Sequence, residues 1–301
     1  MIVLLESVHA DALAMLEAVD TVRVMADPST ITADVPRGEV RVMLTRGRGR
    51  ITAATLDEFP ALVVVGRCGA GLDNIDVGAA ASRGVAVVNA PGATTAAVAE
   101  HATMLMLALG RRVVTLDAAV KDGRWAVRDS YVGTELRGKR LGVIGLGDIG
   151  RRVAAIAGAL GMHVSGWNRT PRDVAGVAAR SLDELLAECE VVQICVALTP
   201  DTRHLLDERR LALLAPGAMV INTARGAVVD HAALVEALAS GRLGGYAADV
   251  WDPEPPAGAI PAAIAGRLLL TPHVAAITDT TYRELCVRTV ESALAVLQHR
   301  G

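Results

Sequence analysis

The stretch Arg140-Leu141-Gly142-Val143-Ile144-Gly145-Leu146-Gly147-Asp148-Ile149-Gly150 decides the reading of this chain. The apolar run RLGVI reads as a buried strand, and the pattern from Ile149 to Leu160 reads as an amphipathic helix. The G-x-G-x-x-G between them therefore stands in the strand–turn–helix context that a dinucleotide-binding turn needs. Gly145 permits the tight turn, Gly147 lets the backbone approach a pyrophosphate, and Gly150 lets helix and strand pack closely. Asp148 and Ile149 open the helix, whose unpaired N–H groups and positive dipole end would face the phosphates. A glycine-rich turn without a ligand is the alternative; strand, helix and spacing all speak against it.

The next strand, Met162–Trp167, ends in Asn168-Arg169-Thr170. An NAD site carries an acid about twenty residues past the glycine turn, for the ribose 2′-hydroxyl. Here that position is Asn168, so no carboxylate repels a 2′-phosphate. Arg169 could pair with one and Thr170 could donate to it. This favours NADP over NAD. The alternative is that Arg169 only covers the adenine or sits in solvent.

Outward from this turn, short apolar runs alternate with helical patterns on both sides. Upstream, strands are expected at IVLLE (2–6), VRVM, VRVMLT, LVVVG (62–66) and VAVVNA (85–90). Downstream they are expected at Val191–Val196, Ala218–Asn222, Gly244–Ala248 and Leu268–Thr271, with helices between and a final helix Thr280–His299. Runs this apolar fit strands buried on both faces of a parallel sheet. The order implies an α/β fold. The segment 94–112, apolar almost all round, is expected to be deeply buried between domains or subunits.

The 301 residues suggest about two domains. Hydrophobic residues make up 52% and charged residues 21%, which excludes disorder. A net charge of -3 and 2% aromatics argue against a nucleic-acid partner, whose phosphates want cations and whose bases want rings. No run is long enough to span a membrane. The start, MIVLLESVHA, lacks a basic n-region, and the four cysteines show no CxxC spacing. A cytoplasmic protein with reduced thiols is expected.

Three later segments should be loops after strands: Asn222-Thr223-Ala224-Arg225-Gly226, Asp249-Val250-Trp251-Asp252-Pro253-Glu254-Pro255 and Thr271-Pro272-His273. Each alone is weak. Their order after the glycine turn resembles the D-isomer-specific 2-hydroxyacid dehydrogenases. Gly66-Arg67-Cys68-Gly69-Ala70-Gly71-Leu72-Asp73-Asn74-Ile75-Asp76 resembles that family's substrate loop. Asn89-Ala90-Pro91-Gly92, Val98-Ala99-Glu100-His101, Gly123-Arg124-Trp125 and Glu135-Leu136-Arg137-Gly138-Lys139 fit as well, so the resemblance covers nearly the whole chain.

The resemblance implies two Rossmann-like domains with parallel sheets. A flavodoxin-like substrate domain would combine residues 1–92 and 275–301, and an NAD(P)-binding domain would span 93–274. Hinges would lie near 92 and 274, and the long helix would serve a homodimer or be buried within its own domain. It implies hydride transfer between NAD(P)H and a small 2-keto acid such as glyoxylate, hydroxypyruvate or 3-phosphohydroxypyruvate. Arg225 would clamp the carboxylate and carbonyl oxygen, which a planar guanidinium suits. His273 would be the acid/base, and Glu254 would hold its other ring nitrogen. Backbone N–H groups of Gly69, Ala70 and Gly71, with Arg67, would bind the substrate. Val196, Ala197, Thr223, Ala224, Asp249 and Ala275 would line the cofactor site, Asp249 near the nicotinamide carboxamide. No metal is implied.

Cys68 stands where small apolar residues are usual in the family, and Asn168 replaces its acid. Arg46, Arg48 and Arg50 could serve a substrate phosphate or simply form a solvated loop. The length leaves no room for the regulatory domain some relatives append. Two other readings stay open: a formate or phosphite dehydrogenase, and a dinucleotide-sensing corepressor on the same fold.

Overall fold

The computed structural model describes residues 1–258 and 260–300. They form two compact units, Met1–Thr94 with Ala276–Gly301, and Thr95–Ala275.

The first unit runs β1 (Ile2–Leu4), α1 (Ala10–Glu17), β2 (Val22–Val24), β3 (Val42–Thr45), α2 (Ala53–Asp57), β4 (Val64–Arg67), α3 (Val77–Ser82) and β5 (Ala86–Asn89). Its sheet is all parallel in the order β2-β1-β3-β4-β5, the flavodoxin-like arrangement. The apolar runs are continuous because both faces are covered. Ile2, Leu4, Val42 and Leu44 pack into one cluster, while Val3, Leu5 and Met43 pack into another on the opposite face.

The second unit opens with α4 (Thr95–Arg111) and α5 (Val113–Lys121). It continues β6 (Arg140–Ile144), α6 (Asp148–Ala159), β7 (His163–Trp167), β8 (Ala178–Ala179), α7 (Leu182–Glu188), β9 (Val191–Ile194) and α8 (Glu208–Leu213). It ends β10 (Ala218–Asn222), α9 (His231–Ala239), β11 (Leu243–Ala248), α10 (Ala262–Ala265) and β12 (Leu268–Leu270). The chain then closes with α11 (Asp279–Arg300), which packs on β4 and β5 of the first unit. The second sheet has the order β12-β11-β10-β9-β6-β7-β8. Strand order reverses between β6 and β9, the switch point at whose carboxyl edge open α/β sheets bind ligands. Val192, Ile194 and Val220 face one core; Val191, Met219 and Ile221 face the other.

Within this single chain the long helix keeps one side uncovered. Ala99, Ala102, Leu105 and Met106 are in the core, but Met104 and Leu107 are 43% and 40% exposed. The helical pattern is also broken at Arg112, whose φ of 50° ends α4 and starts α5. Gly110 stands two residues before that break. No described helix is long and apolar enough to cross a membrane.

Candidate active site

The glycine turn is built as its residues require. Gly145 has φ +99°, and a Cβ there would lie 2.8 Å from the Cys195 carbonyl oxygen just after β9. Only glycine lets the turn pass so close to the neighbouring strand end. A Cβ at Gly150 would run into the Gly145 carbonyl. At Gly147, by contrast, no atom lies within 4 Å of the Cβ position, and this residue caps α6 without a side-chain hydrogen bond. The open face and the uncapped N–H groups fit a pyrophosphate. Asp148 at the helix start is paired with Arg151 at 2.6 Å.

The residues after β7 behave differently from the simplest expectation. Asn168 Oδ1 accepts from the Leu146 N–H at 3.1 Å, and its Nδ2 donates to the Thr170 carbonyl at 2.7 Å. It therefore ties the glycine turn to the end of β7. Arg169 is exposed and paired with Asp201 at 3.2 Å. Val196 and Ala197 lie in the loop after β9, where the Ala197 carbonyl accepts from Thr202 Oγ1 at 2.7 Å.

Arg225, Glu254 and His273 come from three loops that follow β10, β11 and β12. Buried Asn222 fixes the first loop. Its Oδ1 accepts from the Ala224 N–H at 2.9 Å, and its Nδ2 donates to the Arg225 carbonyl at 3.0 Å and to Tyr246 Oη at 3.1 Å. Thr223 Oγ1 accepts from Gln193 Nε2 at 3.1 Å. The Arg225 guanidinium donates back to the Ala224 carbonyl at 2.7 Å. Gly226 lets this loop touch the next: a Cβ there would meet the Trp251 carbonyl and lie 2.7 Å from the Asp252 nitrogen.

Glu254 Oε1 accepts from the Trp251 N–H at 3.0 Å, and its Oε2 lies 2.8 Å from His273 Nδ1. Burial pushes the Glu254 carboxyl upward. The hydrogen bond and charge of His273 outweigh it, with help from the Trp251 N–H and Arg225, so the carboxyl sits below its ordinary value. An ionised carboxylate can only accept, so Nδ1 carries a proton and Nε2 is the exchanging nitrogen.

His273 has φ 55°, a left-handed backbone that β-carbon sterics disfavour. Asp249 holds that turn. Its carbonyl accepts from the His273 N–H at 2.8 Å. Its Oδ1 accepts from Thr271 Oγ1 at 2.5 Å and the Val274 N–H at 2.9 Å, and its Oδ2 accepts from the Ala275 N–H at 2.7 Å. Asp249 is 2% exposed, and these bonds engage both its oxygens. The sequence reading placed it near the nicotinamide carboxamide; in the structure it holds the 271–275 turn that bears His273. His101, on α4, completes the network: its Nε2 donates to Thr271 Oγ1 at 2.9 Å, because that hydroxyl already donates to Asp249. Sequence reasoning left out Asn222, Gln193 and His101 as site residues, although two of them stand inside motifs it quoted.

The expected substrate loop lies in the first unit. Arg67 ends β4, and its guanidinium fills the space a Cβ on Gly69 would take. The Gly69 N–H donates to the Arg67 carbonyl at 2.8 Å. It is thus engaged inside the loop, where it was expected, with Ala70 and Gly71, to hold a substrate carboxylate. The Gly69 carbonyl accepts from the Ala90 N–H at 3.1 Å, and the Ala70 carbonyl from Asn89 Nδ2 at 2.7 Å. The Arg46–Arg50 loop is organised by Glu6. Its carboxylate accepts from Thr45 Oγ1 at 2.7 Å and from the Arg46 and Arg48 N–H groups at 2.8 and 2.9 Å. Among the described residues, no cluster of His, Cys, Asp and Glu could hold a metal.

A glycine cradle at a Rossmann switch point, beside three loops bearing arginine, glutamate and histidine, defines a dinucleotide-dependent site. The family follows from direct comparison. The model for "D-isomer specific 2-hydroxyacid dehydrogenase, NAD binding domain" matches residues 103–275, and the chain belongs to this family. It is 36% identical to the D-3-phosphoglycerate dehydrogenase of Methanocaldococcus jannaschii, across 99% of this chain and 57% of that one. It is 38% identical to the glyoxylate reductase of Aeropyrum pernix, across 86% of this chain and 81% of that one. The chain spans about half the length of the D-3-phosphoglycerate dehydrogenases it matches. A crystal structure of D-lactate dehydrogenase from Aquifex aeolicus, with NAD and lactic acid, aligns with TM-score 0.87 at 27% identity, over 99% of this chain and 96% of that one.

Proposed function

We propose that the protein is an NAD(P)-dependent oxidoreductase interconverting a small 2-keto acid and its D-2-hydroxy acid. The observation that carries this is the 2.8 Å pair of His273 Nδ1 and Glu254 Oε2, with Arg225 held in the adjoining loop. When bound, the nicotinamide dinucleotide supplies or takes up the hydride at the substrate's second carbon. Arg225 binds the carboxylate and the carbonyl oxygen, and its positive charge polarises the carbonyl. In reduction, His273 Nε2 delivers the proton to that oxygen; in oxidation it removes the proton. Glu254 fixes the ring through Nδ1. Asp249, Thr271 and His101 keep the 271–275 turn in shape. Ala70 and Gly71 offer N–H groups to the substrate carboxylate.

The lack of an acid at Asn168, with Arg169 and Thr170 beside it, supports a phosphate-bearing ribose, hence NADPH over NADH. The Arg169–Asp201 pair means that arginine must exchange one anion for another. Met104 and Leu107 on α4, with Val113 and Val114 on α5, leave an apolar face that supports a homodimer. The relatives named above are all oxidoreductases, so a purely dinucleotide-sensing protein is not favoured. The test is turnover of glyoxylate, hydroxypyruvate and 3-phosphohydroxypyruvate with each reduced cofactor, followed by nicotinamide absorbance. Oxidation of one reduced cofactor by at least one of these acids is expected. Failure of all three with both cofactors would overturn the proposal.

A further inference from the structure

In the first sheet β3 pairs with both β1 and β4, so the carboxyl ends of these three strands lie side by side. Glu6 stands two residues past β1, Thr45 ends β3 and Arg67 ends β4. The loop after β3 curls around the Glu6 carboxylate. Thr45 Oγ1 donates to Oε2 at 2.7 Å, the Arg46 and Gly49 N–H groups donate to Oε2 at 2.8 and 3.4 Å, and the Arg48 N–H donates to Oε1 at 2.9 Å. Backbone N–H groups that converge in this way form a nest, a concavity that takes an anion. Here the anion belongs to the chain itself. Burial pushes the Glu6 carboxyl upward, but the Thr45 hydroxyl and the three N–H groups outweigh it and hold the carboxyl below its ordinary value. The ionised form therefore fills the nest. The Arg46 side chain is engaged elsewhere: its guanidinium lies 4.7 Å from the centre of the Tyr282 ring.

This loop in turn grips the Gly69-Ala70-Gly71 segment from both ends. Before that segment, the Cys68 N–H donates to the Thr45 carbonyl at 2.9 Å. The Arg67 guanidinium lies against both loops: it fills the Cβ space of Gly69, and a Cβ on Gly47 would lie 3.2 Å from its Nη2. After the segment, Asn74 Nδ2 donates to the Gly49 carbonyl at 2.6 Å and to Thr45 Oγ1 at 3.3 Å. The Ile51 N–H donates to the Asn74 carbonyl at 2.9 Å, and the Asp76 N–H donates to the Ile51 carbonyl at 2.8 Å. Thr45 Oγ1 joins the two halves. Its proton goes to the Glu6 carboxylate, and its lone pairs take the Gly47 N–H at 3.1 Å and Asn74. Ala70 and Gly71 therefore sit between two anchors, and both anchors depend on the loop that Glu6 holds.

We propose that Glu6 is a positioning residue for substrate binding: its carboxylate is the built-in anion of the 45–49 loop and, through Thr45 and Asn74, fixes the shape in which Ala70 and Gly71 present their N–H groups. Without it, the N–H groups of Arg46, Arg48 and Gly49 lose their common acceptor. Each must then find water, the loop opens, and the anchors at Cys68 and Asn74 loosen with it. Glu6 takes no part in proton transfer, so its loss falls on the binding of the 2-keto acid and leaves the chemical step alone. The link to substrate rests on the proposed function; the coupling of the two loops does not.

The test compares the full chain with its E6Q and E6A variants by hydrogen exchange over residues 45–51 and 66–76, and by steady-state kinetics on the same preparations. Both variants should exchange faster in both loops. E6Q should show a severalfold higher KM for the 2-keto acid, with kcat and the dinucleotide dissociation constant unchanged. Formate, a carboxylate small enough for the emptied nest, should slow exchange in E6A back toward the wild-type rate and leave the wild type as it is. If E6A does not fold, E6Q, which keeps the side chain's shape, decides alone. Unchanged exchange in E6Q, or exchange in folded E6A that formate does not slow, would overturn the nest. Faster exchange confined to residues 45–51 would overturn the coupling. A fall in kcat with KM unchanged in E6Q would overturn the positioning role. Absent turnover in the wild type, alongside faster exchange in both loops of E6Q, would count against the proposed function alone.

Discussion

Replacing Glu254 by glutamine removes one charge while keeping shape. In the wild type, Oε2 takes the His273 Nδ1 proton at 2.8 Å and Oε1 takes the Trp251 N–H at 3.0 Å. A glutamine has one acceptor oxygen, so one of these bonds is lost and the other becomes neutral. Hydrogen bonds to charged groups contribute about 1.5–3 kcal/mol. The side chains of His273 and Glu254 are 44% and 38% exposed, so screening by water points to the low end. About 1.5 kcal/mol on the barrier is roughly a tenfold loss of kcat. Dinucleotide affinity should hold, since neither atom belongs to the glycine turn. The assay is steady-state reduction of whichever 2-keto acid the enzyme turns over, with dinucleotide titration on the same variant. Wild-type kcat in E254Q, or a tenfold loss of dinucleotide affinity, would refute the role assigned to this carboxylate.

Other expectations follow from the same geometry. The Glu254 carboxyl is lowered in the folded protein, so its stabilising effect is complete above the ordinary carboxylate range and is lost as pH falls through the lowered value. The Tm gap between wild type and E254Q should therefore shrink on moving from neutral pH to below about 4; a constant gap would contradict this. D201N releases Arg169 from an exposed pair of at most about 1 kcal/mol, so the KM for NADPH should fall by no more than about fivefold while that for NADH stays put. An equal change for both would remove Arg169 from the cofactor argument. G226A forces a Cβ into the Trp251 backbone, and should lower stability by about 1–3 kcal/mol and depress kcat. Unchanged Tm and kcat would mean the two loops do not rely on that contact.

Much of this was legible in the sequence because two kinds of signal are local. Glycine spacing at 145, 147 and 150 specifies a turn that other residues cannot make, and buried parallel strands such as Val191–Ile194 are continuous apolar runs. Arg225, Glu254 and His273 could be placed by their order along the chain. What the sequence hides are the pairings. Nothing near Asp249 in sequence shows that residues 271 to 275 take up its oxygens. Asp201 is thirty-two positions from Arg169, and Arg46 forty from Glu6. The periodicity of α4 shows an apolar helix but cannot say which side the chain itself covers, so the exposure of Met104 and Leu107 was not legible. The N–H of Gly69 reads as available until its carbonyl partner two residues back is seen.

The central claim is that His273 carries the proton and does not hold the cofactor. It is tested most directly by H273A, with turnover and dinucleotide binding measured on one preparation. Turnover should be abolished while the dinucleotide dissociation constant stays near the wild-type value. Retained turnover, or loss of binding together with turnover, would contradict the account.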